Sequence, residues 1–322
     1  MDPRAGRRRH EERRPVRYAA PMPTLSQSLA AAATRLAACS PSPRPDAEEL
    51  LSRLLGIGRG ELALMRDRTL DEAQARTFEA WLARRERGEP VQYVTGRAAF
   101  RHLDLAVGPA VLVPRSETEG LVEAVLGVLA AERARWTTPR VLDLGTGSGA
   151  IALAIASEFP RALVTATDAS EAALAVARAN TVALGLESRV RFGHGEWFEA
   201  VDADERFEVI VSNPPYIAEH EAGALPRDVR EWEPATALFS GSDGLDDLRA
   251  IIEVAPRHLV TRGLLALELA EVRADEVAAW FDGARDWSGA RMLDDLAGRP
   301  RVLLARREAG PAIAPAQWGE ER

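Results

Sequence analysis

Asn213-Pro214-Pro215-Tyr216 is the stretch whose residue types are best suited to chemistry. Two prolines stiffen the backbone and remove two N–H donors, so the Pro214 carbonyl can point at a ligand instead of closing a turn. With the Asn213 side-chain oxygen, that makes two acceptors. Two acceptors suit a planar –NH2 group, each taking one N–H and holding the nitrogen with its face open to an electrophile. Tyr216 is placed to stack on the flat group. The candidate catalytic residues are therefore Asn213, Pro214 and Tyr216, and the candidate substrate-binding residues are Asn213, Pro214, Pro215 and Tyr216.

The second segment with chemical meaning is Val141-Leu142-Asp143-Leu144-Gly145-Thr146-Gly147-Ser148-Gly149. It reads as a buried parallel strand running into a glycine-rich turn and a helix. Glycines at alternate positions remove the Cβ atoms that would block a nucleoside, and the helix that follows presents unpaired N–H groups. The spacing is not the G-x-G-x-x-G of a dinucleotide site, and there is no Walker lysine. It resembles motif I of the class I S-adenosylmethionine (SAM) methyltransferases. A strand over 162–167 ends at Asp168, whose carboxylate is placed to accept both ribose hydroxyls. Glu196-Trp197-Phe198 follows a third strand, where an acid could accept from an adenine amino group and aromatics could flank its ring, or the aromatics could simply pack under a loop. The candidate cofactor residues are Asp143, Gly145, Thr146, Gly147, Ser148, Gly149, Asp168, Glu196, Trp197 and Asn213.

These residues need a scaffold, and the chain predicts one. From 116 to 307, strand-like and helix-like runs alternate: strands at 141–144, 163–167, 190–192 and 209–211, with helices over 121–134, 151–157 and 171–184. That alternation implies a parallel sheet with right-handed crossovers, and ligands in such sheets sit beyond the carboxyl ends of the strands. A helix over 251–259 and strands over 264–269 and 301–306 complete the domain. Before it, residues 24–90 read as a small all-α domain for substrate recognition or docking, with helices at 25–38, 47–55 (capped by Asp46), 61–65 and 71–87. Residues 91–115 read as a β-hairpin linker, with 91–96 paired to 103–107. Pro114-Arg115-Ser116-Glu117-Thr118-Glu119 fits either an N-cap at Ser116 with a capping acid at Glu119 or a loop closing over the active site. Residues 1–23, with seven arginines, three acids and four prolines, read as a disordered tail, and 308–322 as a C-terminal tail.

The 322 residues are 46% hydrophobic, enough for two domains of unequal size. The net charge of −8 argues against a protein that grips nucleic acid mainly through phosphates. Every formal cation is arginine, from which nothing functional follows. No apolar run is long enough for a membrane span, and the single cysteine, Cys39, cannot form an internal disulfide, so a cytoplasmic location is expected. The histidines show no metal-ligand spacing, and no metal is expected.

Taken together, Glu89-Pro90-Val91-Gln92-Tyr93-Val94-Thr95-Gly96, Val113 to Glu119, Asp143 to Gly149, Val211 to Tyr216 and Asp243-Gly244-Leu245 resemble the release-factor glutamine methyltransferase family (PrmC/HemK), from the first helix to Arg306. The resemblance implies a Rossmann-like, seven-stranded class I methyltransferase domain with SAM as cofactor. It also implies, as substrate, the glutamine of the Gly-Gly-Gln motif in class I peptide chain release factors. Gly145 to Gly149, Asp168 and Trp197 would hold SAM, Asn213 would touch both cofactor and glutamine, and Pro214 to Tyr216 would hold the amide. Ser116 stands where the family usually has proline, and Glu196 where it usually has aspartate. A monomer without stable nucleic-acid binding is expected. Two rivals stand beside this reading: a DNA or RNA amino-group methyltransferase, since adenine N6 is also a planar –NH2, and a SAM-binding scaffold without catalysis.

Overall fold

In the computed structural model, which describes residues 22–308, the chain divides after Glu86 into two compact units. The first holds four helices: α1 (Leu25–Leu36), α2 (Pro43–Leu55), α3 (Arg59–Leu64) and α4 (Glu72–Glu86). The α1 N-terminus is closed by a capping box between Thr24 and Gln27. The core of this unit is built from Leu25, Leu29, Leu36, Leu50, Leu51, Phe78 and Leu82. Asp46 does not cap α2. The helix starts four residues earlier than expected, with proline at its first position, where a missing N–H is harmless. Asp46 instead lies inside it, buried, accepting from Ser40 Oγ and Arg85 Nε, each at 2.7 Å.

The second unit opens with α5 (Val91–Thr95), where a strand is predicted. The apolar residues at 91, 93 and 94 are all buried, so alternation did not mean a half-exposed strand. The turn is closed by Gly96 in the left-handed region, whose N–H reaches the Gln92 carbonyl. A hairpin does follow, one step later: β1 (Arg97–Phe100) pairs with β2 (Leu103–Ala106), and it belongs to the second unit.

Next come α6 (Thr118–Ala131), β3 (Arg140–Leu144), α7 (Ala150–Glu158), β4 (Leu163–Asp168), α8 (Glu171–Leu184), β5 (Val190–His194) and β6 (Phe207–Ser212). They are followed by α9 (Arg227–Trp232), α10 (Asp246–His258), β7 (Leu259–Glu268), α11 (Ala274–Ala279), β8 (Trp287–Asp294) and β9 (Pro300–Arg307). The strands form one seven-stranded sheet in the order β5-β4-β3-β6-β7-β9-β8, parallel except for β8 and β9. Six of these strands are predicted in place. The missed one, β8, is an edge strand with mostly half-exposed or exposed residues, and so carries no apolar run to read.

Alternate strand residues feed two cores. Val141, Val209, Val211, Ala266 and Leu304 face one, packed by α6 and α7; Leu142, Leu144, Ile210, Leu265 and Leu303 face the other, packed by α10. Strand order reverses between β3 and β6, and there the crevice beyond the carboxyl ends opens. The predicted tails lie almost wholly outside the described residues.

Candidate active site

The two segments singled out in the sequence leave neighbouring strands at that reversal. Leu144 pairs with Ser212, whose hydroxyl donates to the Leu144 carbonyl at 2.7 Å, so Gly145 and Asn213 begin their loops side by side. The crevice is a cavity of about 430 Å3, in the range of small-molecule sites. Its wall includes Gly145, Thr146, Gly147, Ser148, Asp168, Glu196, Trp197, Asn213 and Pro215. Asp143, Gly149, Pro214 and Tyr216 are not on the wall.

Asp143 works from behind. It is fully buried, and its Oδ2 accepts from Thr146 Oγ1 at 2.6 Å and from the Ala152 N–H at 3.2 Å, so the carboxylate pins both ends of the glycine loop. Burial pushes its carboxyl up to about 7; the two hydrogen bonds oppose the shift and Asp168 adds to it. Gly145 and Gly147 have φ of 70° and 57°, accessible to glycine at little strain. A Cβ on Gly147 would meet nothing within 4 Å in the protein, because that side of the loop is the cavity. Gly149 answers to packing instead: a Cβ there would lie 2.9 Å from Leu153 Cδ1 and 3.3 Å from Ala177 Cβ.

Asp168 closes the β4 end. Its Oδ2 accepts from the Gly147 N–H and its Oδ1 from the Ser170 N–H, both at 2.8 Å, leaving each oxygen a further lone pair for a ligand hydroxyl. Trp197 has a left-handed φ of 44°, rare for a bulky residue, and its ring passes 3.5 Å from where a Gly145 Cβ would be. Asp247 also lines the wall, and its backbone N–H donates to Ser240 Oγ at 2.9 Å. Burial raises the Asp247 carboxyl, opposed by the neighbouring Ser240 and Trp197 side chains. Glu196 is exposed at the rim.

The Pro114–Glu119 segment also lines the cavity, through Pro114, Arg115 and Thr118. The expected capping box is absent. Glu117 occupies the N-cap, Ser116 Oγ donates to Glu117 Oε2, and Glu119 Oε1 accepts from the Arg101 N–H. Buried Glu233 anchors this segment from across the chain: Arg115 and the Val113 N–H both donate to it, at 2.7 and 3.2 Å. Burial raises the Glu233 carboxyl against the pull of Arg115.

Thr118 is the residue whose role the sequence did not reveal. Its hydroxyl accepts from Asn213 Nδ2 at 3.1 Å, which fixes the amide and leaves Asn213 Oδ1 as an acceptor at the cavity. Tyr216 is half-buried, its hydroxyl 3.4 Å from Glu268 Oε1; burial, with Glu268 adding, raises its phenol to about 12. The signal for Thr118 and Glu233 lay only in their positions within polar loop segments, and Glu268 sits at the end of an apolar strand.

This sheet order, with the pocket at the β3/β6 crevice, is the architecture of the class I methyltransferases, whose methyl donor is SAM. The catalytic domain of hMettl16, solved in complex with the MAT2A 3'UTR hairpin 6, shares the fold at TM-score 0.51 and 14% identity, over 76% of this chain and 84% of that one. A family profile described as the PrmC N-terminal domain matches residues 27–96, and one described as the methyltransferase small domain matches 123–227. The chain is 46% identical to the release factor glutamine methyltransferase of Pseudomonas aeruginosa, over 83% of this chain and 94% of that one. It is 43% identical to that of Streptomyces coelicolor, over 89% and 99%. This chain belongs to the release factor glutamine methyltransferase family.

The residues present fit SAM. The wall carries carboxylates at Asp168, Glu196 and Asp247 against one arginine, Arg115, already paired with Glu233, so the cavity favours a cationic ligand such as a sulfonium. The glycine cradle admits a nucleoside, and Asp168 retains acceptor capacity for its ribose.

Proposed function

We propose that this protein transfers a methyl group from SAM to the side-chain amide nitrogen, N5, of the glutamine in the Gly-Gly-Gln motif of class I peptide chain release factors. In this reading it acts as a cytoplasmic monomer in translation termination, without stable binding to nucleic acid. The observation that carries it is the fixed Asn213 amide: with Nδ2 turned to Thr118, the side chain presents its Oδ1, an acceptor, to the cavity. No helix among the described residues is long and apolar enough to cross a membrane.

SAM, when bound, supplies an electrophilic methyl group. An amide nitrogen is a weak nucleophile because its lone pair is delocalised into the carbonyl, so the work left to the chain is positioning. Asn213 Oδ1, on the wall, accepts one N–H of the substrate amide, and the Pro214 carbonyl, behind the wall here, accepts the other once the substrate is seated, holding the nitrogen in a single orientation. As the nitrogen gives up its lone pair its hydrogens become more positive, and the same two acceptors bind them more strongly than in the ground state. No strong general base is required, since the proton leaves after transfer, when its acidity is far higher. Asp168 would hold the ribose, and Trp197 would form an aromatic wall beside it.

Labelled SAM offered to a purified class I release factor, to the same factor with its Gly-Gly-Gln glutamine replaced, and to bulk DNA and RNA tests the proposal. Label on the intact factor alone is the expected result. Label on nucleic acid instead would keep the Asn213 chemistry and move the substrate to the adenine-type rival.

A further inference from the structure

Glu233 stands at the C-cap of α9 and is a buried acid that the mechanism above does not use; its side chain is 2% exposed. Two donors converge on it from another segment: Arg115 Nη2 gives to Oε1 at 2.7 Å, and the Val113 N–H gives to Oε2 at 3.2 Å. Each oxygen has its own donor. The segments so joined both reach the cavity, one through Pro114 and Arg115, the other through Pro234 and Phe239, whereas Glu233 itself is not on the wall.

Each segment also grips one end of Asn213-Pro214-Pro215-Tyr216. Three residues past Arg115, Thr118 receives Asn213 Nδ2 at 3.1 Å. Downstream of Glu233, Phe239 is bridged to Ile217, one residue beyond Tyr216: the Ile217 N–H gives to the Leu238 carbonyl at 3.0 Å, and the Ser240 N–H gives to the Ile217 carbonyl at 2.9 Å. A path from Asn213 through Thr118, Arg115, Glu233 and Phe239 to Ile217 therefore closes around the substrate loop, and the Arg115–Glu233 pair is its charged link.

We propose that Glu233 is a positioning residue for methyl transfer, a clasp that fixes the spacing of the two segments bracing Asn213-Pro214-Pro215-Tyr216. A buried ion pair adds little net stability, because desolvation of both partners offsets most of their attraction. It does add geometry: one donor on each carboxylate oxygen defines how the two segments lie. A displacement of about 1 Å in a group that orients the reacting nitrogen is enough to cost a factor of about 100 in rate. The glycine loop is held separately, by Asp143 on Thr146 and Ala152 and by Asp168 on Gly147, so the clasp bears on the substrate side of the cavity.

The inference rests on the positioning role given above to Asn213, and its test is separable from the choice of substrate. Steady-state kinetics would be measured for Glu233→Ala, Arg115→Met and the double variant on whichever substrate the wild-type protein labels, with kcat expressed per SAM-binding site counted by calorimetry. Each single variant should lose about 5- to 100-fold in kcat, the scale of one charged hydrogen bond removed. SAM affinity should change by less than the loss in kcat. The double variant should lose at least threefold less than the product of the two single losses, because both substitutions open the same clasp. If Glu233→Ala does not fold, Glu233→Gln carries the same cycle, since its amide oxygen is left as the sole acceptor for two donors. A kcat for the Glu233 variant within fivefold of wild type would overturn the proposal, leaving the packing of Trp232 against the cluster around Val111 and Val113 to hold the segments. So would single losses that multiply to within threefold, or a loss of SAM affinity as large as the loss in kcat, which would make Glu233 a general structural residue. Wild-type protein that labels nucleic acid and not the release factor would sink the substrate assignment while leaving this comparison valid.

Discussion

At the scale of single residues, the site separates side chains that face the cavity from those that hold them. Asn213 does both, with one half of its amide on Thr118 and the other toward the ligand. Asn213→Ala should therefore lower kcat by roughly 100- to 1,000-fold, the loss typical of removing one pre-organised group aimed at developing charge. Its melting temperature should stay near that of wild type; unchanged turnover would remove Asn213 from the mechanism. Asp143 is a holding residue, and its test is stability against pH. Its folded carboxyl titrates at about 7, above the ordinary aspartate value, so the folded state keeps the proton longer than the unfolded chain does. Its contribution is thus complete below about pH 4 and is lost as the pH rises toward 7, at about 1.4 kcal/mol per pH unit within that window. Asp143→Asn removes the titration. The stability of the variant relative to wild type should rise between pH 4 and 7 in denaturant melts, and parallel curves would mean that Asp143 is ionised throughout.

At the scale of elements, the site depends on loops held by other loops. The Asp243-Gly244-Leu245 stretch, marked in the sequence only by its resemblance to the family, shows its physical reason in the structure. Gly244 has a φ of 77°, and a Cβ there would fall 2.6 Å from the Tyr216 carbonyl oxygen and 3.0 Å from the Ala218 nitrogen. Both obstacles are backbone, so they cannot swing aside. Gly244→Ala should displace the Tyr216 end of the substrate loop, lowering both the melting temperature and kcat while SAM affinity changes little; wild-type kinetics would show that the loop tolerates the shift. The hairpin follows the same logic. The β2 backbone at Ala106 is clamped by Asn180 of α8, whose Oδ1 takes the Ala106 N–H at 2.7 Å and whose Nδ2 gives to the Ala106 and Ser148 carbonyls. One amide thus ties the hairpin to the glycine loop. Nothing in the periodicity of the α8 segment announces that role.

At the scale of the whole molecule, every residue of the cavity wall, from Phe100 to Asp247, belongs to the unit that starts at Arg87. The helical unit has its own apolar core and contributes nothing to that wall. A fragment spanning 87–308 should therefore fold and bind SAM with an affinity within a few-fold of the full chain. It should also lose most of its methyl transfer to an intact release factor, consistent with the substrate-recognition role proposed for residues 24–90. Calorimetry and the labelling assay would measure the two effects separately, and full activity of the fragment would leave the helical unit without that role.

What the sequence determined by itself was whatever local periodicity and covalent stiffness can specify. The βα alternation gave the parallel sheet and its carboxyl-end site, and the glycine spacing gave the turn after β3. Two consecutive prolines marked a loop that could not be ordinary. Strongly apolar strands were legible because burial on both faces leaves a continuous signal, whereas β8 left too little of one and α5 imitated a strand until its closing glycine was seen. Only the tertiary structure decided which polar residues face the ligand and which face each other. Asp143 and Gly149 lie within the motif yet behind its wall, while Thr118, Glu233, Asp247 and Glu268 come from distant loops and strand ends. Hydrogen-bond partners far apart in sequence leave no periodic trace, so the network behind Asn213 exists only once β3, β6 and β7 lie side by side.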